Sequence, residues 1–123
     1  MINVINLREL IDYNDEKSIN LMIVRYMKEP IASVVQFDRL APSETLLNAW
    51  NNSGKLNEDW EIFKAAFLKE MERSYNQIGL KLVKQYSDAG YTVNLICYCS
   101  DAYRCHRSLI ADLLEDMELE VNR

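Results

Sequence analysis

All 3 cysteines and the 1 histidine of this chain lie close together, as Cys97, Cys99, Cys105 and His106, with Arg104 and Arg107 beside them. Such a set supports nucleophilic chemistry, with the thiol of Cys97 or Cys105 attacking and His106 carrying the proton. Arg25, Arg104 and Arg107 supply what is needed to hold a small anionic ligand, phosphate- or nucleotide-like, through charge-assisted hydrogen bonds. That is the reading these residues favour, and it names no cofactor. A Cys-x5-Arg phosphate loop is not among the options, because the spacing from Cys99 to Arg104 is one residue too short and that from Cys97 one too long.

Three alternatives stand beside it. Cys97, Cys99, Cys105 and His106 are a ligand set suited to zinc. The C-x-C…C-H spacing is poor for it: there is no Cys-x-x-Cys knuckle, and adjacent Cys105 and His106 seldom point at one ion. The sequence therefore assigns no metal. Cys99 and Cys105 could instead pair reversibly in a thiol redox sensor, with Cys105 attacking. In the fourth reading the cysteines are small buried apolar residues, and the chain is a non-catalytic interaction or adaptor domain.

The elements around the segment decide how it is presented. Residues 19–26 and 92–98 are near-continuous apolar runs, the mark of strands buried on both faces of a parallel sheet. Residues 2–5 read as a third strand, and the alternating 117–121 as a final edge strand. Between the two main runs the pattern is helical. Pro42 and Ser43 open a short helix carrying Leu46, Leu47 and Trp50. Asn57 is placed to cap a second, with Trp60, Phe63, Phe67 and Met71 as its apolar stripe. A third carries Tyr75, Ile78, Leu82, Val83, Tyr86 and Ala89 and closes at Gly90. These aromatics read as core.

A last helix, with Leu109, Ile110, Leu113 and Leu114 inward, is expected to start near residues 102–104 with Ser100 or Asp101 as its cap. Cys105 and His106 then lie in its first turns, beside Cys97 and Cys99 at a strand end. Ligands of open α/β sheets bind outside the carboxyl ends of strands. A helix start there would attract an anion and lower the pKa of Cys105. The fold expected is α/β: a small, mostly parallel sheet flanked by helices, in a single Rossmann-like domain of two or three layers covering residues 1–123.

Here the residues resemble a known family. Cys97 and Cys105, followed by His106 and Arg107, resemble the strand–loop–C-H-R signature of the domain-of-unknown-function family 488. Leu40, Ala41, Pro42, Ser43 and Leu46, then Trp50, Trp60 and Phe63, resemble the L-A-P-S…L…W…W-x-x-F run of its short members. Arg25 matches an arginine that follows an aspartate in the family. Val24 replaces that aspartate here, and the W-P-R-G run of short members is missing. The resemblance implies an α/β fold and carries over Arg25, Cys97, Cys105, His106 and Arg107. It implies no established activity.

Composition bounds the rest. The chain has 123 residues, 49% of them hydrophobic, enough for one core, and only 3 Gly and 2 Pro. No secretory leader or membrane-spanning run is legible, and the odd cysteine count does not suit a disulfide framework, so a cytoplasmic protein is expected. A net charge of −5 argues against duplex nucleic acid and anionic membranes as partners. Homodimerisation is open to any small α/β domain, and no feature of this one demands it.

Overall fold

Two apolar runs form the centre of a parallel sheet. The computed structural model describes residues 1–123 except Ser100 and Ala102. Its strands are β1 (Ile2–Asn6), β2 (Ser18–Met22), β3 (Val34–Gln36), β4 (Thr92–Cys97) and β5 (Val121–Asn122), in the order β3-β2-β4-β1-β5. Every pairing is parallel. The helices are α1 (Leu10–Tyr13), α2 (Glu44–Asn52), α3 (Asn57–Glu70), α4 (Ser74–Asp88) and α5 (His106–Asp116).

Successive strand residues point to opposite faces. Ile2, Val4, Leu21, Val93 and Leu95 bury one face against Phe67, Val83, Ile110 and Leu114 of the long helices. Ile5, Met22 and Ile96 bury the other against Leu7, Leu10 and Tyr13 around α1. Helices on both faces explain why the central strands show almost no polar alternation.

The break in that apolar pattern is an asparagine row. Register places Asn20 beside Asn94, Asn94 beside Asn3, and Asn3 beside Asn122. Asn94 Nδ2 donates to Asn20 Oδ1 at 2.9 Å, Asn3 Nδ2 to Asn94 Oδ1 at 2.9 Å, and Asn122 Nδ2 to Asn3 Oδ1 at 3.0 Å. Four side-chain amides thus bridge four adjacent strands.

Several sequence expectations shift. Residues 19–26 form a shorter strand: Ile23 still donates to Ile96 O at 2.9 Å, but the ladder ends there and the chain turns away. The edge strand begins at Val121 rather than 117, after α5 unwinds through a left-handed Glu118. Asn57 is the first residue of α3 and not its cap; Asp59 instead reaches back to accept the Leu56 N–H at 3.0 Å. Tyr75 and Ile78 lie on the exposed flank of α4, whose buried face is Asn76, Gly79, Leu80 and Val83. Leu113 is only half-buried, whereas Leu114 is fully enclosed. Both α1 and β3 were missed: α1 is a single turn, and β3 offers only Val34 and Val35 as β-branched signal. Gly90 has φ +96°, as its place after α4 predicts.

Candidate functional site

From β2 the chain moves outward to β3, and from β4 it crosses the other way through α5 to β5. Adjacent strands whose connections diverge leave a crevice at their carboxyl ends. It forms a cleft of about 600 Å³, lined on one side by Val24, Arg25, Tyr26 and Lys28 after β2. Trp50, Lys55, Trp60 and Phe63 form a second wall, and Cys97, Tyr98, Cys99, Arg104, Cys105 and His106 form the floor and far side.

The sulfurs converge. Cys97 is the last residue of β4, and its Sγ lies 3.1 Å from Cys105 Sγ and 3.6 Å from Cys99 Sγ. Cys99 is fixed through its carbonyl, which accepts from Asn6 Nδ2 at 3.0 Å. Cys105 is itself the residue that caps α5, in an extended conformation and with no side-chain cap bond. The helix therefore starts later than expected. Asp101 caps a preceding turn instead, accepting from Tyr103 N at 2.9 Å and Arg104 N at 3.3 Å. Ser100, the other expected cap, lies outside the described residues.

Charge on the cluster falls on a different sulfur from the one expected. The neighbouring Cys105 and Cys97 thiols, of which Cys97 donates to Cys99 at 3.6 Å, outweigh burial and with the Arg107 charge hold the Cys99 thiol down to about 3. Cys105 lowers Cys97, but its donation to Cys99 together with burial prevails and pushes Cys97 up to about 12. Cys105 is raised by the neighbouring Cys97 and Cys99 thiols and by burial, opposite to the lowering expected of a helix start. Negative charge on the cluster is thus favoured at Cys99, to which Cys97 donates.

His106 is buried and its ring is fixed. Nε2–H donates to Ile23 O at 2.5 Å, leaving Nδ1 as acceptor 3.9 Å from Cys105 Sγ. Burial lowers its pKa, so the neutral tautomer persists. Phe67 packs against the ring edge at 5.7 Å, ending a run of aromatic contacts from Trp50 through Trp60 and Phe63.

Arg25 and Arg104 line the cleft, and Arg107 does not. Arg25 is oriented by Nε donation to Pro42 O at 3.0 Å and by Asp38 Oδ2, 3.3 Å from Nη1. Arg104 Nη1 donates to Lys55 O at 2.8 Å and clips the two walls together. Arg107 is buried beside a separate hollow with Glu9, Tyr103, Ser108 and Arg123, and its Nη1 has no hydrogen-bond partner among the described residues.

A family model described as the active DUF488-N3 subclade, DUF488-N3a, matches residues 2–118. The chain belongs to this family. No curated protein and no solved structure gives a match. Within this DUF488-N3a chain the family-like Pro42–Ser43 pair has a legible task. Ser43 N and Oγ donate to Glu70 at 2.9 and 2.5 Å, and Oγ accepts the Leu46 N–H at 3.2 Å. The pair thereby ties α2 to the end of α3 and presents the Pro42 carbonyl to Arg25.

Sequence reasoning missed Lys28, Lys55 and the cleft-facing side of the tryptophans. Lys28 Nζ stands 4.7 Å over the Tyr98 ring, and Lys55 Nζ 5.6 Å over Trp50. The lysines sit in loops without a motif. The tryptophans follow a helical stripe that predicts core, and they are half-buried because they pack and line the cleft at once. Among the described residues no helix is long and apolar enough to cross a membrane.

Proposed function

We propose that this protein binds and acts on a small anionic ligand, phosphate- or nucleotide-like, in the cleft between the ends of β2 and β4. One observation carries the reading: in a chain of net charge −5, the cleft is lined by Arg25, Lys28, Lys55 and Arg104 and, among the described residues, by no carboxylate. Removed from bulk water, such a set focuses positive potential on one small volume. Trp50 and Trp60 add flat apolar area on which a base or sugar can stack. The anion is held by the guanidiniums of Arg25 and Arg104 with the two lysines, and its reacting end meets the floor of Cys97, Cys99, Cys105 and His106. Arg107 acts from behind, as a buried positive charge on the sulfur cluster. The family's description as an active subclade supports chemistry as well as binding. A cluster of reduced thiols suits the cytoplasm.

Both tryptophans of the chain line the cleft, so their fluorescence reports its occupancy. Titration with inorganic phosphate and with adenosine 5′-monophosphate should change the emission saturably, the nucleotide binding tighter. Arg104→Ala should weaken both by about tenfold, the equivalent of one charge-assisted contact at ~1.4 kcal/mol. Emission unchanged by either anion, or equal affinity in Arg104→Ala, would overturn the assignment.

A further inference from the structure

We infer that Cys97, Cys99 and Cys105 form a three-sulfur site for a soft divalent metal ion of the zinc class, with its fourth coordination position open to the cleft. The three Sγ atoms lie within 4.8 Å of one another, two of the separations being 3.1 and 3.6 Å. Sulfurs bound tetrahedrally at about 2.3 Å from zinc are roughly 3.8 Å apart, so the cluster has to open by only tenths of an ångström along its shortest edges. The irregular spacing that argues against zinc in the sequence loses its force. The end of β4, the Asn6 anchor on Cys99 and the start of α5 bring the sulfurs together regardless of a knuckle.

His106 stands outside the triangle. Its Nε2–H is committed to Ile23 O, and the free Nδ1 lone pair is 3.9 Å from one sulfur, Cys105 Sγ. The protein thus offers three ligands, which is the count of an open zinc site rather than a closed structural one. All three cysteines line the cleft, so the fourth position faces the space assigned to the anion.

Charge balance favours the same arrangement. A dication with three thiolates carries one net negative charge. The buried Arg107 guanidinium, with Nη1 unpartnered among the described residues, and the cationic cleft wall both supply the opposite sign. Binding displaces the remaining S–H protons to solvent and changes no oxidation state.

The test uses cobalt(II) as probe, added to reduced, chelator-treated protein in phosphate-free buffer. One equivalent should give near-ultraviolet sulfur-to-cobalt bands and intense tetrahedral bands in the visible, both bleached by zinc. Cys99→Ser, at the half-buried position that the fold tolerates best, should lose most of that intensity. In wild-type protein, zinc should also protect all three thiols from alkylation, counted by mass, which needs no variant to fold. Absence of thiolate bands, bands that persist undiminished in Cys99→Ser, or thiols alkylated equally with and without zinc would each overturn the site. Neither phosphate nor nucleotide is present in these experiments, so their failure is distinct from failure of the anion titration.

Discussion

Asn94→Ala should be among the most destabilising single substitutions in the chain, although it removes no apolar packing. Asn94 is fully buried in the central strand, and its amide serves two neighbours and a carbonyl. Truncation leaves Asn3 Nδ2 without its acceptor and Asn20 Oδ1 without its donor, both in buried residues. Tyr13 O keeps a second partner, Ser18 Oγ at 3.3 Å. Each orphaned buried group costs about 1–3 kcal/mol, so the two together cost about 2–6 kcal/mol. That is a large part of the ~5–15 kcal/mol that holds a typical domain folded. Asn122→Ala is the internal control. It removes one hydrogen bond of the same row at the sheet edge and leaves one acceptor, Asn3 Oδ1, without its donor instead of two buried groups, so it should cost ~1–3 kcal/mol, half of the Asn94 figure. Urea denaturation followed by circular dichroism measures both, with the slope required to stay unchanged. If Asn94→Ala shifts the midpoint no further than Asn122→Ala, the row is not acting as a satisfied network and the reasoning fails.

Other substitutions separate local propensity from tertiary contact. Gly79→Ala improves helix propensity by ~1 kcal/mol, yet its Cβ would stand 2.7 Å from Arg39 Cβ. Net destabilisation of about 1–3 kcal/mol is expected, and a raised melting temperature would show that α4 can shift freely. Leu114→Ala should cost about 2–5 kcal/mol and Leu113→Ala clearly less, because only the first is fully enclosed; denaturation midpoints in the reverse order would contradict the packing of α5. Ser43→Ala removes the α2 cap and the hydroxyl half of the tie to Glu70, leaving the backbone N–H half, about 1–2 kcal/mol, and should also weaken phosphate binding by loosening the Pro42 carbonyl that orients Arg25. Stability lost with anion affinity intact would uncouple the two.

The sheet was legible because burial on both faces leaves a plain apolar run, and 92–98 became β4 almost residue for residue. The close approach of Cys97 and Cys105 followed from the same placement, one at a strand end and one at a helix start. The start of α5 was misplaced by the usual rule of capping chemistry. Asp101 is a good cap, but it satisfies Tyr103 and Arg104 in a turn of its own, and Cys105 leads into the helix with nothing in its side chain to announce it. The sulfur that carries the charge was misread for a related reason. A helix terminus is visible in sequence, whereas the Cys97 and Cys105 thiols gather beside Cys99 only once the loop is folded. The lysines of the cleft are the limiting case: Lys28 and Lys55 belong to loops 27 residues apart, and nothing local distinguishes them from solvated surface charge.

That distribution of charge makes the proposed anion site testable by ionic strength. The net charge is −5, so an approaching phosphate is repelled at long range and, on the proposed reading, attracted at the cleft. Raising the ionic strength from about 0.01 to 0.15 M shortens the screening length from about 30 to about 8 Å. Repulsion from carboxylates beyond that distance is then largely removed, while contacts at hydrogen-bonding distance inside the cleft are screened much less. Phosphate affinity, read from the tryptophan emission, should therefore hold or rise over that range when the added salt is one whose anion binds weakly. A basic surface binding by displaced counterions would lose affinity steadily over the same range. A tenfold or steeper loss here would mean that dispersed surface lysines and arginines hold the anion, and the four cations of the cleft would have to be reassigned to cohesion between its walls.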